Sequence, residues 1–156
     1  MKACGRVWCL VLIEDVTLMS NSISSDKAPE PVGPYPHARR VGNLLFLSGV
    51  GPRQRGERDI PGVTLDDKGN IVKYDIEQQC HAVFQNVKHV LEASGSKWEN
   101  LVDITVFLTS MKDFAAYNKI YEEYFPYPST QPCRTTVEVN TLPTPIAIEL
   151  KCIATI

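Results

Sequence analysis

Between Ile76 and Leu91 apolar residues fall at Ile76, Cys80, Val83, Phe84, Val87, Val90 and Leu91, with mostly polar residues between them. This three-and-four spacing predicts a helix over Ile76 to Ala93 with one apolar stripe, and such a stripe must be buried against another element. Asp75 offers a side chain to cap the first turn, and Gly95 stops the helix. A second stripe, Phe114, Tyr117, Ile120, Tyr121, Tyr124 and Phe125, follows Asp113 and ends at Pro126 and Pro128. Its aromatics read as core rather than as a cofactor-binding box.

Two one-sided helices need an apolar sheet to share. The short apolar run Asn43 to Ser48, bounded by Gly42 and by Gly49-Val50-Gly51, reads as a buried strand ending at a tight backbone turn. Val102 to Leu108 is a β-branched strand, and Arg134 to Val139 and Ile146 to Ala154 are strand-like as well. A hairpin is expected around Asp66 to Asn70, with Ile71-Val72 in one arm. The order of elements predicts a mixed sheet with both helices on one face. Continuous apolar runs in its strands call for cover on the other face too, and self-association is the simplest source.

The 156 residues, 44% hydrophobic and 22% charged, suit one globular domain. A chain of that size buries about 70% of its unfolded surface and needs neither metal nor disulfide to fold. Sixteen Lys and Arg against eighteen Asp and Glu give a net charge of -2, which argues against nucleic acid as a partner. The five cysteines (Cys4, Cys9, Cys80, Cys133, Cys152) are odd in number and form no C-x-x-C pair, so they are read as reduced thiols of a cytoplasmic protein. Lys2 and Arg6 precede the apolar run Val7 to Ile13, but the run is short, Glu14 and Asp15 follow at once and no clear small-x-small cleavage site ends it. That run is also far below the roughly 20 residues of a membrane span, so no membrane partner is expected. Residues 1–21 are read as an extension outside the domain, with Met19 as an alternative start, and 22–156 as the single domain.

His37, His81 and His89 have no acidic or cysteine partner at ligand spacing, so no metal site is expected. The Gly-rich dinucleotide and nucleotide motifs and the G-x-S-x-G nucleophile elbow do not occur. What remains is polar chemistry at strand ends. Arg134 opens an apolar strand, where a guanidinium either captures a carboxylate through two parallel bonds or forms a surface ion pair. Glu149 sits within Ile146-Ala147-Ile148 and Leu150. A carboxylate there is paired, turned to solvent, or poised by burial to exchange protons.

Further marks lie along the chain: Ala28-Pro29, Gly33-Pro34-Tyr35, Val41-Gly42-Asn43 and Leu47-Ser48-Gly49. Then come Gln85-Asn86-Val87, Thr105 to Leu108, Asp113 to Asn118, Pro132-Cys133-Arg134, Leu142-Pro143 and Ile148-Glu149. In this order they resemble the RidA family, also called YjgF, small proteins that hydrolyse reactive enamines and imines. The resemblance runs from about Ser22 to Ile156. It implies an α+β, chorismate-mutase-like fold of the bacillus type: a mixed sheet with two helices on one face, closed as a trimeric barrel with a site at each subunit interface. It also implies that Arg134 binds a substrate carboxylate and that Glu149 activates the attacking water. Tyr35, Ser48, Gly49, Asn118 and Thr136 would line the pocket, with Phe107 as an apolar wall. No cofactor is implied, and the expected partners are a small carboxylate substrate and further copies of the chain.

The sequence departs from the common pattern after Ser48-Gly49, where Val50 replaces the usual Gln and the segment to Asp75 is longer. This arginine-bearing insertion resembles the branch that deaminates 2-aminomuconate, a dicarboxylate whose second charge calls for another cation. Arg53 or Arg58 is the candidate, with Arg55 on the same loop; the other reading is that these are solvated loop charges. The expected activity is hydrolytic conversion of 2-aminomuconate to 2-oxo- or 2-hydroxymuconate with release of ammonia, in aromatic-compound catabolism. The alternative is a general 2-iminobutanoate/2-iminopropanoate deaminase. A non-catalytic sensor or RNA-acting protein is a third reading, and the sequence pI of about 5.9 counts against RNA.

Overall fold

The structure is a computed structural model and describes residues 21–156. The expected N-terminal extension lies outside the described residues except for Asn21, which begins the first strand. The elements follow as β1 (Asn21–Ile23), β2 (Ala38–Val41), β3 (Leu44–Leu47), β4 (Val63–Leu65), β5 (Ile71–Tyr74) and α1 (Ile76–Ala93), then β6 (Leu101–Leu108), α2 (Phe114–Tyr124), β7 (Cys133–Glu138) and β8 (Ile148–Thr155). Six strands form one sheet in the order β1-β2-β3-β8-β6-β7, and β4 and β5 form the expected hairpin. Every neighbour in the large sheet is antiparallel except β6 and β7. That parallel pair needs a crossover, which α2 supplies.

The strand period of two sorts the side chains. Ile104, Val106 and Leu108 of β6 and Ile148, Leu150, Cys152 and Ala154 of β8 are buried under the helices. Cys80, Val83, Phe84, Val87, Val90 and Leu91 of α1 complete this core together with Tyr117, Ile120 and Tyr121 of α2. The opposite face carries Phe46, Thr105, Phe107, Glu149 and Ile153, all half-buried, and Lys151, which is exposed. No helix covers it.

Asp75 caps α1 through Oδ1, which accepts the Gln78 amide at 3.1 Å, and Gly95 ends it with a φ of +73°. Asp113 leaves the start of α2 uncapped, because its carboxylate accepts the Tyr74 hydroxyl at 2.7 Å. The expected tight turn at Gly49-Val50-Gly51 is instead an isolated β-bridge from Val50 to Leu150. Neither glycine has a positive φ; each is required by close approach, since a Cβ on Gly49 would strike the Glu149 carboxylate and one on Gly51 would come within 2.9 Å of Ile146 Cδ1. β8 starts at Ile148, not at Ile146, because the Ile146 amide is bonded to the Thr144 carbonyl and the Ala147 amide to the Gln79 side chain.

Among the described residues no helix is long and apolar enough to cross a membrane. Phe84 is fully buried with its ring against those of Trp98, Tyr117 and Tyr124. Phe84→Ala is therefore expected to lower stability by about 3–5 kcal/mol in urea denaturation.

Candidate active site

The bridge between Val50 and Leu150 places the end of β3 and the loop behind it against Glu149. A cleft opens there, lined by Ala28 to Pro31, Tyr35, His37, Ser48 to Gly51 and Arg53. The Ser48 amide donates to the His37 carbonyl at 2.9 Å and Ser48 Oγ to the Pro36 carbonyl at 2.6 Å. The Tyr35 hydroxyl accepts the Val32 amide at 3.3 Å, and its ring is exposed. Glu149 approaches through the missing side chain of Gly49, and Phe107 stands opposite it in the β6–β8 register. Burial pushes the Glu149 carboxyl above the usual carboxylate range, and the Arg53 guanidinium partly offsets that rise. Tyr35, Ser48, Gly49, Arg53 and Glu149 thus gather in one place, with Phe107 beside them.

Arg134 leaves the sheet in the other direction. It pairs with Ile104, whose side chain is buried under the helices, whereas Glu149 pairs with Phe107 on the uncovered face. Its guanidinium carbon lies 4.5 Å from the ring centre of Tyr121, 5.4 Å from that of Tyr117 and 5.8 Å from that of Phe114. These rings attract the cation through their negative faces and hold its plane without neutralising it. No ion pair to Arg134 forms among the described residues, and it borders a groove with Asn118, Tyr121, Glu122 and Gln131. Among the described residues Asn118 Oδ1 and, on the same face of β7 as Arg134, Thr136 Oγ1 are buried without hydrogen-bond partners. Arg134, Asn118 and Thr136 therefore form a second group, and one chain does not bring it to Glu149.

The three loop arginines differ. Arg53 lines the cleft while its Nη2 donates to the Glu30 carbonyl at 2.7 Å. Arg55 is committed to the carbonyls of Ser25 and Ala28 and to the Glu30 carboxylate. Arg58 is exposed and does not line the cleft, whereas Arg53 does.

Two further residues hold this site: Asn86, which the sequence marks without assigning it a role, and Gln79, which it does not single out. Asn86 Nδ2 donates to the carbonyls of Gly51 at 2.8 Å and Arg53 at 2.6 Å, and Gln79 Oε1 accepts the Ala147 amide at 2.8 Å. Both are buried on the core side of α1, seven positions apart. Polar residues on an otherwise apolar stripe were the available signal. Among the described residues no group of three or more His, Cys, Asp or Glu could hold a metal ion.

The profile of the endoribonuclease L-PSP family matches residues 25–156. Reactive Intermediate Deaminase A, chloroplastic, of Arabidopsis thaliana is 38% identical over 134 residues, which are 86% of this chain and 65% of the relative. The 2-iminobutanoate/2-iminopropanoate deaminase of Salmonella typhimurium is 34% identical over 137 residues, 87% of this chain and 98% of the relative. The crystal structure of the E. coli YjgF gene product superposes with a TM-score of 0.74 at 33% identity, covering 87% of this chain and 98% of that one.

Arg53→Gln is expected to raise the pKa of Glu149 further, because it removes the cation that favours the ionised form. A carboxyl 13C NMR titration reads this directly, and an unmoved midpoint would show that Arg53 does not act on Glu149.

Proposed function

The chain belongs to the endoribonuclease L-PSP family, the family of the RidA and YjgF proteins, and on that basis we propose that it hydrolyses small 2-imino carboxylates to 2-oxo acids and ammonia. Arg134 binds the substrate carboxylate through two parallel N–H···O bonds. Glu149 takes a proton from water as the oxygen bonds to the carbon of the protonated imine, and returns it to the nitrogen as the C–N bond breaks. The remaining hydroxyl proton leaves as the carbonyl forms, so that iminium and water become 2-oxo acid and ammonium. The raised pKa of Glu149 suits this exchange, because a group that titrates nearer the working pH both accepts and returns a proton readily. Fixing the carboxylate aligns the carbon with the water, which converts a random encounter into a positioned one.

The observation that carries the reading is the separation of Arg134 from Glu149 onto opposite faces of one sheet. Chemistry needing both is complete only between two copies, so the proposal includes a homotrimer with a site at each interface. The uncovered sheet face, bearing Phe46, Phe107 and Ile153, supports such an assembly.

The similarity to a 2-iminobutanoate/2-iminopropanoate deaminase supports short imino acids as substrates. For 2-aminomuconate the support is narrower: Arg53 in the cleft offers a second cation. Both substrates can be assayed side by side, with 2-iminopropanoate generated in situ and 2-aminomuconate followed by its absorbance. Turnover of 2-iminopropanoate is expected; turnover of neither would sink the proposal, and 2-aminomuconate as sole substrate would replace it with the dicarboxylate reading.

Glu149→Gln is expected to cost about 10²–10⁴ in kcat with little change in KM. It should not lower stability at neutral pH. Burial raises the folded-state pKa, so the ionised carboxylate costs the fold free energy above the unfolded pKa, and glutamine removes that cost. Arg134→Ala is expected instead to raise KM about 10- to 100-fold, as loss of charge-assisted bonds to a carboxylate does.

A further inference from the structure

His37 is 9% exposed, and both of its ring nitrogens meet backbone groups. Nδ1 lies 3.0 Å from the Ser25 amide, which can only donate, so Nδ1 carries no proton. Nε2 lies 3.0 Å from the Pro29 carbonyl, which can only accept, so the proton is on Nε2. The ring is thereby fixed as one neutral tautomer. The backbone of the same residue faces the other wall of the cleft, where its carbonyl accepts the Ser48 amide. One histidine joins the proline-rich wall to the strand end that carries Ser48 and Gly49.

We propose that His37 is a positioning residue: its neutral ring holds the wall from Ser25 to Pro31 in place for substrate capture, and protonation at Nδ1 releases that wall. A proton on Nδ1 would set two donors against each other, with a charge added in a nearly dry position. The charged and titratable groups around the ring offer no substitute acceptor. Glu30, Arg53 and Tyr35 line the cleft, and the Glu30 carboxylate is held by Arg55. Lys27 pairs with Glu92 of α1, and His89 of α1 meets Ser25 only through its backbone carbonyl. Glu149 of β8 faces Gly49. The remaining ties on the wall, from Arg53 and Arg55 to carbonyls and from Ser25 Oγ to the His89 carbonyl, involve no ring nitrogen, so of these bonds only Ser25–His37 would be broken by a proton on Nδ1.

His37→Gln separates the ring's hydrogen bonding from its titration, since an amide keeps one donor and one acceptor at every pH. Wild type, His37→Gln and His37→Ala are compared between pH 8 and pH 5 by hydrogen–deuterium exchange of peptides spanning 24–36. Exchange in each is divided by that of His37→Gln at the same pH, which cancels the intrinsic pH dependence of exchange. The wild-type ratio is expected to rise about tenfold towards pH 5, the loss of one buried hydrogen bond. His37→Ala should exchange faster at every pH, with a constant ratio; should the glutamine variant fail to fold, it becomes the reference. 15N NMR of the wild-type ring should report the Nε2–H tautomer at pH 8. A wild-type ratio that stays constant, or an Nδ1–H tautomer, overturns the proposal. The activity arm rests on the proposed deamination: KM for 2-iminopropanoate should rise in acid with kcat little changed, and less so in His37→Gln. Exchange and NMR decide the role of His37 even if no deamination is found, so the two readings fail separately.

Discussion

Val50 and Leu150 exchange backbone hydrogen bonds in both directions, at 2.8 Å and 2.9 Å, and much of the site's geometry depends on that bridge. It draws the chain beyond β3 across β8, so that the residue before Val50 lies over the side chain before Leu150. Only a glycine leaves room there, and Gly49 admits the Glu149 carboxylate at the cost of its water. The raised pKa of Glu149 is a direct result of that enclosure. Ser48 and Arg53 arrive on the same stretch of chain. Helix α1 secures the arrangement from below, through Asn86 to the carbonyls of Gly51 and Arg53 and through Gln79 to the amide of Ala147. These bonds are buried, and losing either partner would leave a desolvated polar group unpaired.

The sheet divides the chemistry as firmly as the bridge gathers it. Alternation along a strand is not adjustable, because a slip of one residue would turn Ile148, Leu150, Cys152 and Ala154 out of the core. Glu149 must then face away from the helices, and Arg134, in register with Ile104, must face towards them. Arg134 rests against aromatic rings of α2, an arrangement that orients a guanidinium and leaves its charge available to a carboxylate. A covering layer from another copy would fill the uncovered face and bring the two groups together in one step.

The helices were readable because burial imposes a period on them: the stripe from Ile76 to Leu91, its Asp75 cap and its Gly95 stop all stand where the spacing put them. The strand ends were less so. Ile146 has the same apolar character as Ile148, and only the capture of the Ala147 amide by Gln79, 68 residues away in sequence, excludes that stretch from the ladder. Asp113 stands immediately before α2, but its carboxylate accepts the Tyr74 hydroxyl and leaves the helix start without a side-chain cap. Gly49-Val50-Gly51 reads as a tight turn, whereas the structure uses both glycines for close approach to Glu149 and Ile146 beside a β-bridge. Arg53, Arg55 and Arg58 were indistinguishable in sequence, because which carbonyl each guanidinium reaches is a long-range property of the loop. Local periodicity carries the fold, whereas the site depends on contacts between distant segments.

The central claim is that Glu149 and Arg134 act on one substrate from two different copies of the chain. Glu149→Gln and Arg134→Ala are each expected to be nearly inactive at low substrate concentration. After unfolding and refolding together in equal amounts, random assembly should leave about one quarter of the interfaces with both native groups. Recovery of roughly that fraction of wild-type kcat/KM, absent when the two are refolded apart and then mixed, is the predicted result. A co-refolded mixture no more active than its separate components would contradict the account.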